Sequence, residues 1–135
     1  MIFMNSFRRY PLCWLTTIVV IFLSVYKFGE MPELETVDLA DKWAHMAMYA
    51  GLSLVAWWEY LRHHRPVKLS RALWWALAFP IVLGAAMEGV QALLPYRSCE
   101  FLDFLANSVG VLLVNLVAIA ICARTHSSSP SKGED

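Results

Sequence analysis

Asp41, His45 and Tyr49 follow one another at i, i+4 and i+8. On a helix this spacing puts a carboxylate, an imidazole and a phenol on one face. Lys42 stands beside the first of them. Further along, Glu88 and Gln91 are three residues apart and Asp103 and Asn107 four apart, with Gly110 one turn on and Arg97 between the two pairs. Each set lies in a stretch that is otherwise apolar, where an ionisable group is costly and faces a partner or a water-filled cavity. Arg97, Lys42 and a protonated His45 could hold phosphate or carboxylate oxygens. Glu88, Asp103 and His45 could instead move protons. A metal is not expected from the pattern, because the set holds one histidine and no paired-ligand motif. Nor is a nucleophile evident: Cys99 sits next to Glu100 without a nearby histidine, and Ser98 and Ser108 belong to no recognisable triad.

The positioning elements are four apolar blocks, at 11–28, 42–61, 73–94 and 101–123. The chain has 135 residues, 59% of them hydrophobic and 16% charged, against roughly 25% charged in soluble domains. Each block is about 18–23 residues long, and about 20 helical residues cross the hydrocarbon core of a bilayer. The expected fold is therefore an all-α membrane protein, a four-transmembrane-helix bundle. The first block follows Arg8 and Arg9 as a signal peptide would, but no small-x-small cleavage site follows it, so an uncleaved helix is expected. Pro80 inside the third block is expected to kink its helix. Residues 125–135 are Ser-rich and polar and read as a disordered tail.

Loop charge sets the orientation. Arg8 and Arg9 precede the first block, and Arg62, Arg65, Lys68 and Arg71 fill the connection between the second and third. Glu30, Glu33, Glu35, Asp38 and Asp41 crowd the connection between the first and second. Lys and Arg collect on the cytoplasmic side, which gives an N-in/C-in arrangement, with residues 1–10 cytoplasmic and Arg124 inside. At 1.5 Å per residue the polar sets on the last three helices then fall within roughly 10–12 Å of the outer surface. The Trp and Tyr residues near the block ends read as interfacial anchors. Cys13, Cys99 and Cys122 are too far apart in this topology to form an intrachain disulfide.

The motif Asp41-Lys42-x-x-His45-x-x-x-Tyr49, followed by Glu88-x-x-Gln91, Arg97, Asp103, Asn107 and Gly110, resembles the VanZ-like membrane proteins, a family named for a protein linked to teicoplanin resistance. The resemblance covers about residues 38–120. It implies a small multi-pass protein of the bacterial inner membrane, with no established reaction. The segment Ser98-Cys99-Glu100-Phe101-Leu102 departs from the small polar residues expected before the aspartate.

Three functions remain open on these residues. One is a polar pocket at the outer leaflet, formed by Asp41, Lys42, His45, Tyr49, Glu88, Gln91, Arg97, Asp103 and Asn107. Its partners would be membrane lipids, a lipid-linked envelope precursor with an anionic group, or, under the resemblance, a lipoglycopeptide. The second is a membrane enzyme using Glu88, Asp103 and His45, against which stands the lack of a nucleophile or cofactor motif. The third is a structural polar network. A formal net charge of zero gives no reason to expect a nucleic-acid partner. Neither a cofactor nor an oligomeric state can be assigned.

Overall fold

The computed structural model describes residues 2–26, 35–96 and 100–127. Arg97 and Cys99, the acids Glu30 and Glu33, and residues 128–135 of the expected tail lie outside them. The described residues are helical, with no strand among them. The elements are α1 (Ile2–Arg9), α2 (Pro11–Val25), α3 (Glu35–His63), α4 (Leu69–Leu73), a π-helical turn (Trp74–Ala78), α5 (Phe79–Ala92) and α6 (Phe101–Ser127). α4, the π turn and α5 form one continuous helix, Leu69–Ala92.

Two helices, Leu69–Ala92 and Phe101–Thr125, are long and apolar enough to cross a membrane, and Pro11–Val25 is a shorter apolar helix. Several expected boundaries move. α3 begins at Glu35, not at 42, because backbone hydrogen bonding carries a helix past the end of its apolar surface. The last helix runs to Ser127, with Arg124 near its negative end, so the first residues of the expected tail are helical. α5 stops at Ala92, three residues before Pro95, which disfavours helical geometry in the residue preceding it. The N-terminal segment carries helix α1, whose Phe7 stacks on Trp14 at 4.4 Å between ring centroids.

The long helices alternate in direction. The start of α2, the end of α3 and the start of α4 meet at one end through a core of Tyr10, Cys13, Tyr60 and Ala72, and Cys122 of α6 packs against it. This end carries Arg8, Arg9, Arg62, Arg71 and Arg124. At the opposite end the last turn of α5 meets the last turn of α2, and the first turns of α3 and α6 come together. Gly110 permits the closest crossing, since the Met46 backbone carbonyl of α3 occupies the place a Cβ would take. Small residues let helix backbones approach in this way.

Burial is inverted relative to a water-soluble protein. Leu15, Ile18, Phe22, Val82, Leu112 and Leu116 are exposed, whereas Thr17, Ser24, His45, Ser53, Glu59 and Asn115 are buried. Two inward polar groups were not singled out in the sequence. The first is Glu59, 2% exposed. Its carboxylate accepts the backbone N–H groups of Leu12 (2.9 Å) and Cys13 (2.8 Å). α2 begins Tyr10-Pro11 with no side-chain cap of its own, so Glu59 satisfies donors that would otherwise be orphaned at its N-terminus.

The second group surrounds Pro80. A proline in a helix cannot donate to the carbonyl four residues back, here that of Ala76. That carbonyl accepts instead from Ser53 Oγ at 2.6 Å and Asn115 Nδ2 at 3.0 Å. Asn115 Oδ1 in turn accepts the Trp57 indole N–H at 2.8 Å. The helix registers the proline as the preceding π turn, closed by the Phe79 N–H donating to the Trp74 carbonyl.

Candidate functional site

The first turns of α3 and α6 bring three of the expected residues together. One ring nitrogen of His45 and one carboxylate oxygen each of Asp41 and Asp103 lie within 4.8 Å of one another. Asp41 and His45 share a face because they are one helical turn apart. Their side chains are 3.6 Å apart, Nδ1 to Oδ2. His45 Nδ1 is also 3.0 Å from the Asp41 backbone carbonyl. A carbonyl only accepts, so Nδ1 carries the donated proton, and in the neutral imidazole the lone pair would sit on Nε2. His45 is 3% exposed, and Nε2 has no hydrogen-bond partner among the described residues. The Asp41 side chain is 43% exposed, which puts it at the rim.

Lys42 bridges the two helices from the other side. Its Nζ is 3.1 Å from Glu100 Oε2 and 3.9 Å from Asp103 Oδ1. Glu100 was read in the sequence as a neighbour of Cys99 and as part of the segment that departs from the VanZ-like pattern, not as a site residue. Its signal there is that it stands at the entry to the last helix, three residues before Asp103.

Tyr49 and Asn107 lie one turn deeper than His45 and Asp103 and are fully enclosed. Gly84 of α5 makes room for both. A Cβ there would stand 3.4 Å from the Tyr49 ring and 3.5 Å from the Asn107 amide nitrogen. The Asn107 amide makes no hydrogen bond among the described residues.

Glu88 and Gln91 share a face of α5 but serve different neighbours. Glu88 lines an open groove of about 400 Å³ with Ala85, Glu100, Phe101 and Phe104. Gln91 points to the first long helix, its Nε2 donating to the Ser24 carbonyl at 2.9 Å. Tyr96 donates to the Val25 carbonyl at 3.2 Å. The C-terminal carbonyls of α2 are thus satisfied from α5 and the segment that follows it, as its N-terminal donors are from α3. Gln91 therefore joins helices rather than the Asp41–His45–Asp103 group. Arg97, expected over the pocket, lies outside the described residues.

The basic end holds an aromatic cluster rather than a second pocket. The Tyr10 hydroxyl is 3.3 Å from His64 Nδ1, and the His64 ring stacks on Tyr60 at 4.5 Å. Burial, and next the neighbouring Tyr60, pushes the Tyr10 phenol above its ordinary value.

No family model matches the sequence, and no solved structure matches it. It is similar to an uncharacterized protein of Schizosaccharomyces pombe, 32% identical over 103 residues. The alignment covers 76% of this chain and 59% of the yeast protein. The chain thus spans about three-fifths of the length of the curated relative it matches. None of these comparisons supports the resemblance to VanZ-like proteins, and a eukaryotic relative gives no support to a bacterial source.

Proposed function

We propose that the chain is a multi-pass membrane protein in which α2, α3, the helix Leu69–Ala92 and α6 all span the bilayer, N-in/C-in. We also infer that the polar group at the outer ends of α3, α5 and α6 binds the charged headgroup of a lipid or lipid-linked ligand. The observation that carries this reading is the pairing of a buried polar cluster with the groove beside it. His45 Nε2 and the Asn107 amide are buried with no hydrogen-bond partner among the described residues. The adjoining groove sets Phe101 and Phe104 beside Glu100, whose carboxylate is paired with Lys42, so an apolar wall for a lipid body lies next to a cation. The inverted burial pattern supports the membrane reading of α2 and α3, which length and hydropathy alone do not carry.

Under the VanZ-like resemblance the ligand would be a cell-envelope precursor in a bacterial inner membrane, and the phenotype a change in teicoplanin susceptibility. The similarity to a yeast protein favours the chemistry common to both settings, an anionic lipid headgroup, over a cell-wall component. Lys42 is the described cation placed to meet it. Native mass spectrometry of gently purified protein is expected to show one retained anionic lipid or lipid-linked species per chain. Lys42→Gln should lower its occupancy about tenfold, the effect of losing one charge-assisted contact. Retention that is equal in the two proteins, or absent from the parent, contradicts the proposal.

A further inference from the structure

We propose that Asp41, His45 and Asp103 bind a divalent transition-metal ion of the zinc class. The inference rests on reading these helix ends as one ligand site, but not on that ligand being a lipid. Three observations lead to it.

The first is geometry. One ring nitrogen of His45 and one carboxylate oxygen each of Asp41 and Asp103 lie within 4.8 Å of one another, whereas ligands of a tetrahedral ion bound at about 2.0–2.1 Å stand roughly 3.3–3.4 Å apart. Metal binding would draw them together, and the half-exposed Asp41 side chain has the space to turn toward the buried Asp103 and His45.

The second is the state of the imidazole. Nδ1 donates to the Asp41 carbonyl, which is the outer hydrogen bond that fixes a ligating histidine in one tautomer. Nε2, which carries the lone pair in the neutral imidazole, is buried with no hydrogen-bond partner among the described residues. Asp103 Oδ1 is likewise buried without a hydrogen bond among the described residues, and Lys42 Nζ lies 3.9 Å from it. Lys42 lies closer to Glu100 and does not saturate Asp103.

The third is charge. Asp41, Glu88, Glu100 and Asp103 gather at this end of the bundle. Against Glu100 and Asp103 stands Lys42, and a divalent cation would be favoured among these acids. One nitrogen and two oxygens suit zinc, manganese or iron better than magnesium or calcium, which favour all-oxygen sites. Three protein ligands leave a coordination position open, so the bound ion could also receive an anionic oxygen that the acid-rich surroundings would otherwise repel.

The test uses full-length, tag-free protein in detergent, stripped with chelator and titrated with Co²⁺ and then Zn²⁺. One equivalent of Co²⁺ per chain is expected, with visible absorption bands that Zn²⁺ abolishes by displacement. His45→Gln and Asp103→Asn should each weaken binding on the order of 100-fold, at unchanged helical circular dichroism. His63→Gln, an exposed histidine at the opposite end, should bind as the parent does. Parent protein that binds less than a tenth of an equivalent overturns the proposal without recourse to any variant. So does binding that survives His45→Gln or is lost in His63→Gln. Metal bound without a retained lipid would refute the lipid reading alone, and lipid retained without metal binding would refute the metal site alone.

Discussion

Glu59→Ala is expected to destabilise the folded chain by about 3 kcal/mol or more, one of the two largest single-residue effects anticipated here. The carboxylate accepts two backbone N–H groups at the start of α2, and no other side chain caps that end. Removing it leaves buried donors, each costing about 1–3 kcal/mol when unsatisfied. It also removes a negative charge from the positive end of the helix. Glu59→Gln keeps one acceptor oxygen but turns an N–H₂ group toward the second donor, so it should fall between Ala and the parent. Unfolding in mixed micelles of rising SDS fraction measures all three proteins. An alanine variant within about 0.5 kcal/mol of the parent would show that water or a neighbouring group satisfies the α2 donors instead.

The second large effect is expected at Asn115. Asn115→Leu removes the amide that donates to the Ala76 carbonyl and accepts from the Trp57 indole. Two buried partners lose a bond at once, and a loss of about 2–4 kcal/mol follows. The cause assigned to this network, the missing N–H of Pro80, gives a sharper check. In a Pro80→Ala background the residue at position 80 can again donate to the Ala76 carbonyl, so Asn115→Leu should cost at least about 1 kcal/mol less there. Strict additivity of the two substitutions would mean that Asn115 is not serving the carbonyl freed by the proline.

Much of this arrangement was legible in the sequence because apolar stretches advertise their exceptions. The one-turn spacing of Asp41 and His45, and the position of Asp103 at the head of the last block, sufficed to bring those three side chains to one place. Boundaries were less legible, since hydropathy marks where an apolar surface ends and not where a helix does. α3 therefore starts well before residue 42. Gln91 illustrates another limit. Its face on α5 follows from spacing, but its partner, the Ser24 carbonyl, belongs to a backbone group that no sequence pattern displays. Glu59 was as visible as Glu88, an acid within an apolar block. Its role depends on the missing cap of a different helix, which becomes apparent only when the start of α2 is placed against the end of α3. Asn115 and Ser53 resemble ordinary interhelical polar residues until Pro80 is seen to face them.

The membrane arrangement is tested most directly by accessibility in intact cells. Single cysteines at position 33 (Glu33→Cys) and position 65 (Arg65→Cys), each introduced into a chain carrying Cys13→Ser, Cys99→Ser and Cys122→Ser, would be challenged with a membrane-impermeant maleimide. The four-span, N-in/C-in arrangement predicts labelling of position 33 from outside and labelling of position 65 only after the cells are permeabilised. Labelling of position 65 in intact cells, or protection of position 33 in them, would contradict it. The polar site would then have to be moved to the other face of the membrane or out of the membrane altogether.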